Sequence, residues 1–424
     1  MRFMLVVTSL ALLAGLAFAQ KPSTSDAAAI HNSLLVIDTH ADTPGRFVDE
    51  QFDPATDAGK GHWDLARAKA GNLGAEFFSI WVDPEKYKGR EAHRALDMID
   101  SVHQVAAQHP DKIVMAYSTA DIKAARSGPH PRIAALMGVE GGHAIEGDIR
   151  ILRDFYRLGV RYMTLTWMNS NDLAQSSGDV KTGDDGKPID PGLTDFGREV
   201  VREMNRLGMM VDISHVSDRT FYNTLVISRA PVIASHSSSR AVSSHFRNMT
   251  DDMLVALARN GGVAQVNFEC GFISNDYRAQ LKQWAEAHPA EVKRARELWS
   301  QPQTPETKAE MEKLQARRSA DIPRPPFSVL IDHFDHMIKV AGVEHVGVGS
   351  DFDGIECLPQ GIDGVQDLPK ITAALLQRGY SKEDVRKVMG GNLMRVFGNV
   401  ERVAHQMQSE TNPDQRHEVA IPAK

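Results

Sequence analysis

Apolar residues in this chain gather in short runs, and most of the runs are apolar on both alternating faces. In order they are Leu34–His40 (LLVIDTH), Gly74–Val82 (GAEFFSIWV), Ile133–Glu140 (IAALMGVE) and Val160–Trp167 (VRYMTLTW). Then come Met209–His215 (MMVDISH), Pro231–His236 (PVIASH), Gly262–Phe268 (GVAQVNF) and His345–Asp351 (HVGVGSD). Stretches with helical spacing lie between them, among them Gly197–Gly208 and Met253–Gly262, the latter closing on glycine. A strand apolar on both faces needs cover on both, and helices between successive strands supply it. The pattern therefore predicts parallel strands with helical crossovers. Eight such units favour an α/β fold of the (β/α)₈ TIM-barrel type over a doubly wound sheet. No G-x-G-x-x-G follows the first run, which speaks against a dinucleotide-binding sheet.

One segment breaks the rhythm. Residues 275–326 are charged and helix-favouring, then Pro-rich, and fall after the seventh run. An insertion there sits on the loop face of a barrel, where it serves as a rim or lid, or else as a solvated hairpin with no role in chemistry.

Composition narrows the class. The 424 residues are 42% hydrophobic and 24% charged, with a net charge of −7. That balance offers no footprint for nucleic acid or an anionic membrane. Residues 1–19 read as a secretory signal: Arg2, an apolar run, and Ala17-Phe18-Ala19 before Gln20, with an uncleaved anchor as the alternative. The apolar run is short for a membrane span. The remainder reads as one barrel domain, residues 20–404, with a polar tail at 405–424 that excludes a hydrophobic anchor signal. The mature protein is expected to be periplasmic or secreted, without a stable membrane anchor, and a homodimer is left open. The two cysteines, Cys270 and Cys357, either pair after export or remain free thiols.

The chemistry lies where polar residues meet strand ends. His40 and Asp42 close the first run, Glu140 the third, His215 the fifth, His236 the sixth and Asp351 the eighth. Alone, each reads as a satisfied polar residue. A barrel gathers the ends of its strands around one pocket, and together these three histidines and three carboxylates form a candidate site. Nitrogen and carboxylate oxygen without thiolate suit Zn²⁺ or a similar divalent ion. Two ions fit: one on His40 and Asp42, one on His215 and His236, with Glu140 bridging. With a bridging hydroxide, such a centre keeps a positive charge that favours an anionic tetrahedral intermediate.

The segments DTHAD, GVEGGHAI, RYMTLT, DISHVS, APVIASHSSSR, RNMTDD, VGVGSDFDG and GGNLMRVF give the chain a resemblance to the membrane (renal) dipeptidase family, peptidase family M19, among the amidohydrolase-like metal barrels. It runs from about Leu34 to Phe397. The resemblance implies zinc ligation by His40, Asp42, Glu140, His215 and His236, with Glu140 as the bridge. It implies that Arg247 binds the carboxylate of a dipeptide substrate, and that Asp351 holds the attacking hydroxide and shuttles its proton. Arginine's two-pronged donor geometry and the acid–base capacity of an aspartate agree with these roles. The chain departs from the pattern after RYMTLT. The family's mammalian members carry a substrate-binding histidine there, and this chain has Trp167, with Asn169 and Asn171 as candidates for the missing hydrogen bond. An indole N–H donates but cannot carry a proton. His143, His245 and His345 are expected to lie outside the metal site, Asp38 to orient His40 from behind, and Asp353 and Glu356 to serve as loop polar residues.

The expected activity is zinc-dependent hydrolysis of dipeptides. The rivals are a related amidohydrolase of N-acyl amino acids or lactones, and a non-catalytic metal- or peptide-binding protein. Arg247 favours substrates ending in a free amino acid, and Asp351, a proton carrier without structural need, speaks against the binding protein.

Overall fold

A computed structural model describes residues 24–410 apart from residues 60, 302 and 303. The signal segment at 1–19 lies outside the described residues. Of the tail at 405–424, residues 405–410 finish the helix Asn392–Glu410, and the rest is outside as well.

Eight parallel strands form the barrel. They are β1 (Val36–Ala41), β2 (Leu73–Trp81), β3 (Ile133–Glu140), β4 (Val160–Thr164), β5 (Met210–Asp212), β6 (Ile233–Ala234), β7 (Val263–Val266) and β8 (Val346–Val348). Each pairs with the next in sequence order. The ring closes beyond the last ladder. Ala41 bridges Phe352, the Asp42 amide donates to the Phe352 carbonyl at 2.8 Å, and the Asp351 amide donates to the His40 carbonyl at 3.0 Å. Both faces of these strands are buried, β1 through all six residues and β3 through all eight, as their unbroken apolar runs require.

The ladders stop short of the apolar runs. The chain leaves β5 three residues before His215 and β8 three before Asp351, and both residues adopt left-handed backbone, with φ of 66° and 67°. Non-glycine residues in that region carry strain of order 1 kcal/mol and gather at functional turns. A ninth strand that the periodicity did not single out, Ile113–Met115, pairs with β3 from outside the ring. The barrel interior holds polar side chains, among them Asp38, Glu76, Tyr162 and Gln265, all fully or almost fully buried. Gly138 on β3 makes room for Tyr162: a Cβ there would lie 1.9 Å from the tyrosine ring.

After β7 a short helix, Cys270–Ile273, leads into three longer ones, Asn275–Ala287, Pro289–Ser300 and Pro305–Asp321. Ser274 caps Asn275–Ala287, and Thr304 begins Pro305–Asp321 with reciprocal side-chain bonds to Thr307. The helices are tied to the loop face of the barrel. Lys308 pairs with Glu50 after β1 at 3.2 Å, while Gln315 and Arg318 both reach Glu356 after β8. Cys270 and Cys357 are joined in a disulfide, linking the loops after β7 and β8. Among the described residues no helix is long and apolar enough to cross a membrane.

Candidate metal centre

The strand ends deliver six polar side chains into one buried space. His40 and His236 are 0% and 1% exposed, and Glu140, His215 and Asp351 are buried around them. Glu140 lies between the histidines. Its Oε1 is 2.8 Å from His215 Nε2 and 3.4 Å from His236 Nε2, and its Oε2 is 3.3 Å from His40 Nε2. Asp42 Oδ2 lies 3.4 Å from His40 Nε2 and Asp351 Oδ1 lies 4.0 Å from it. Nitrogen and oxygen atoms of His40, Glu140 and His236 fall within 4.8 Å of one another, and so do those of His40, Asp42 and Asp351.

Hydrogen bonds behind the histidines fix which nitrogen faces the space. Ser235 Oγ gives its hydrogen to Asp212 Oδ2 at 2.6 Å, so it accepts from His236 Nδ1 at 2.8 Å. His236 Nε2 is left with a lone pair. The carboxylate of Asp212 is held in turn by Thr164, Ser214 and the Ser235 amide. Tyr162 works in the same way. Its hydroxyl donates to the Thr39 carbonyl at 3.1 Å and accepts from His40 Nδ1 at 2.8 Å, which leaves the His40 Nε2 lone pair facing Glu140 and Asp42. Neither His40 Nε2 nor Asp42 Oδ1 has a hydrogen-bond partner among the described residues. Acceptors facing acceptors in a buried space repel unless a proton or a cation lies between them.

The electrostatics agree. Burial, reinforced by the charge of Arg247, pushes the His215 imidazole down to about 3, and burial together with His40 pushes His236 well below its ordinary range. Both are neutral, as a metal ligand must be. Burial acts to raise Glu140, but His40 and the hydrogen bonds from His215 and His236 hold it well below the usual carboxylate range. Asp351 moves the other way: burial first, then the charges of Asp42 and Glu140, lift it well above that range. For His40 burial is the largest influence and acts to lower it, but Tyr162, Glu140 and Asp42 together raise it well above the ordinary imidazole range, so that with no cation in the space a proton takes that place. Three carboxylates and three imidazoles without thiolate form a donor set suited to a divalent ion of the zinc type. The residues fit such an ion.

The surroundings hold the site in shape. Ser79 Oγ donates to Glu140 Oε2 at 3.2 Å, and Asn267 Nδ2 donates to Asp351 Oδ2 at 2.8 Å. Asp38 accepts from the amides of Ser350 and His40, steadying the junction of β1 and β8 without entering the site. Gly354 allows the two aspartates to approach. A Cβ there would lie 2.1 Å from Asp42 Oδ2 and 2.6 Å from Asp351 Oδ1. Arg247 lies buried beside the cluster, its guanidinium donating to Ser237 Oγ at 3.2 Å and to the His236 carbonyl at 3.0 Å, and its Nε has no partner among the described residues. Trp167 sits on the His215 side, with 6.4 Å between ring centres.

The other polar residues are engaged elsewhere. His143 bonds the Val82 carbonyl, His345 bonds the Gly262 carbonyl, and His245 accepts from the Arg247 amide between the rings of Phe246 and Phe272. Asp353 binds Thr43, Arg46 and the His62 amide, and Glu356 anchors the insertion. Of the two asparagines after β4, Asn171 serves its own loop, bonding the Leu165 carbonyl and the Leu173 amide, while Asn169 Oδ1 is buried without a partner among the described residues. Sequence reasoning did not single out Tyr162, Ser235 or Asn267 as supports. The available signal was their place at or beside the inward ends of apolar runs.

Comparison with known proteins places this architecture. The family profile described as "Membrane dipeptidase (Peptidase family M19)" matches residues 24–411. Human Dipeptidase 3 is 32% identical over 401 residues, which span 92% of this chain and 71% of that protein. A metallo peptidase from Rhodobacter sphaeroides, solved with a phosphinate mimic of the dipeptide L-Ala-D-Ala, superposes with a TM-score of 0.69 at 26% identity, over 87% of this chain and 99% of its own. The probable dipeptidase PvdM from Pseudomonas aeruginosa shares the fold, with a TM-score of 0.76 at 24% identity, over 90% of this chain and 99% of that one.

Proposed function

The chain belongs to the membrane dipeptidase family, peptidase family M19, and from that premise we propose that it is an exported, zinc-dependent dipeptidase with a two-ion centre. The observation that carries this reading is the set of lone pairs aimed into one space, His40 and His236 Nε2 facing the carboxylates of Glu140 and Asp42, with Asp351 across from them.

His40, Asp42, Glu140, His215 and His236 are the residues that would hold the two ions. When bound, such ions supply Lewis-acid polarisation of the scissile carbonyl and lower the pKa of the attacking water. The chain's own groups do the rest. Arg247 receives the substrate's carboxylate with its buried guanidinium, which burial has pushed down to about 10 while leaving it charged at neutral pH. Asp351, oriented by Asn267, takes the proton of the attacking water at Oδ1 and returns it to the amine as the C–N bond breaks. Trp167 replaces an imidazole with an apolar wall. Export is supported by the amino-terminal signal pattern and by the Cys270–Cys357 disulfide, which persists in oxidising compartments.

The test pairs metal analysis with a substrate panel of L,L and L,D dipeptides and N-acyl amino acids. The reading predicts about two zinc ions per active chain, hydrolysis of free dipeptides and loss of activity on chelation. Hydrolysis of N-acyl amino acids alone would move the protein to the related amidohydrolases.

A further inference from the structure

The insertion brings an aromatic residue toward the metal centre. Trp81 is the last residue of β2 and is paired in register with Glu140. Trp167 follows the end of β4 by three residues, and its ring centre lies 5.0 Å from that of Trp81 at a tilt of 57°. Trp299, in the last turn of the helix Pro289–Ser300, lies 6.4 Å from Trp81 and is 59% exposed. At the inner end, Trp167 is 6.4 Å from the imidazole of His215. Three indoles from three elements thus form a continuous path from a metal-site histidine to the open rim.

The helix that carries Trp299 is held in place by its neighbours. Arg294 of that helix pairs with Glu310 of the next at 2.7 Å, and Lys308, Gln315 and Arg318 of that next helix bind the loops after β1 and β8. Trp299, exposed and tilted against Trp81, offers a large rigid face at little entropic cost. Centroid spacings of 5.0 and 6.4 Å are those at which aromatic rings attract.

Resting on the dipeptidase reading above, we propose that Trp81, Trp167 and Trp299 form a substrate subsite that takes an aromatic or large aliphatic side chain of the dipeptide, with Trp299 supplied by the insertion as its outer wall. The enzyme then prefers dipeptides with such a side chain over those with small or charged ones. Within this subsite Trp299 determines specificity and touches the substrate without taking part in bond breaking.

The experiment measures kcat/KM of the zinc-loaded full chain on Ala-Ala, Phe-Ala, Ala-Phe and Lys-Ala, each in L,L and L,D forms. Wild type is expected to favour a phenylalanine-bearing substrate over Ala-Ala at least tenfold. Trp299→Ala lowers that ratio by about tenfold, and Trp299→Phe keeps most of it. Equal losses on Phe- and Ala-containing substrates, or a ratio unchanged in Trp299→Ala, overturn the subsite while leaving the dipeptidase reading intact. Hydrolysis of none of the panel by wild type overturns that underlying reading, and ligand affinity then decides the subsite. Affinity for the phosphinate analogues of Ala-Ala and Phe-Ala, followed by fluorescence, separates the two failures. A preference for the Phe analogue that Trp299→Ala abolishes supports the subsite even where turnover is slow, and equal affinities overturn it.

Discussion

Glu140 shows how much rests on one residue. Its two oxygens face three histidines, so replacing the carboxylate with an amide removes an anionic ligand from both halves of the cluster. Glu140→Gln is expected to lower total zinc by more than one ion per chain, read by atomic absorption. His215→Ala should lower it by about one. Asp351→Asn keeps the hydrogen bond to Asn267 within reach but loses the proton carrier, so kcat is expected to fall by two or more orders of magnitude with zinc content unchanged. Near-normal turnover would remove Asp351 from that role. Arg247→Ala should cost roughly 2 kcal/mol in kcat/KM on free dipeptides and little on dipeptide amides, the scale of a lost charged hydrogen bond. Gly354 offers a different kind of test. Alanine there presses on the tips of Asp42 and Asp351, which can swing aside, so stability should hold while activity and zinc retention drop. The six cluster residues were legible in the sequence because strand ends converge in a barrel. Their supports were not, because Tyr162 reaches His40 from a strand three places along the ring, a relation that no local pattern records.

At the scale of elements, the β7–β8 region carries the clearest pH signature. Glu269 caps the short helix after β7, accepting from the Gly271 amide at 3.1 Å, while its second oxygen is buried without a partner among the described residues. Burial pushes its carboxyl up to about 7. The unfolded chain ionises first, near 4.5, so the stability due to the protonated form is complete below that pH and is lost as pH rises toward 7. Glu269→Gln should flatten this decline, gaining up to about 3 kcal/mol over wild type at pH 8 and little at pH 4. Denaturant curves of the zinc-loaded protein at the two pH values measure it, and parallel profiles would contradict the assignment. The insertion was legible as a break in rhythm and as helices. Its seat on the barrel mouth was not, because that depends on single ion pairs such as Lys308–Glu50 with partners far off in sequence. The two cysteines left both states open for the same reason: 87 residues separate them, and only the fold brings their Cα atoms to 5.4 Å.

The whole molecule closes along a seam that runs through the site. β1 and β8 meet through the Asp42 and Asp351 amides and the Ala41–Phe352 bridge, next to residues that face the metal space from both sides. On the zinc reading proposed above, metal binding is expected to stabilise closure, and chelation to speed hydrogen exchange at those two amides more than at the amides of β3, with a fall in Tm that grows as free zinc is reduced. Equal acceleration across all strands would show that metal supports the fold globally instead. The same seam orders events during the protein's manufacture. Chain emerging from a ribosome presents His40 early and Asp351 only after more than three hundred further residues, so no product cut short before β8 can assemble the centre. The centre is thereby withheld until the last strand of the ring has been made and seated against the first.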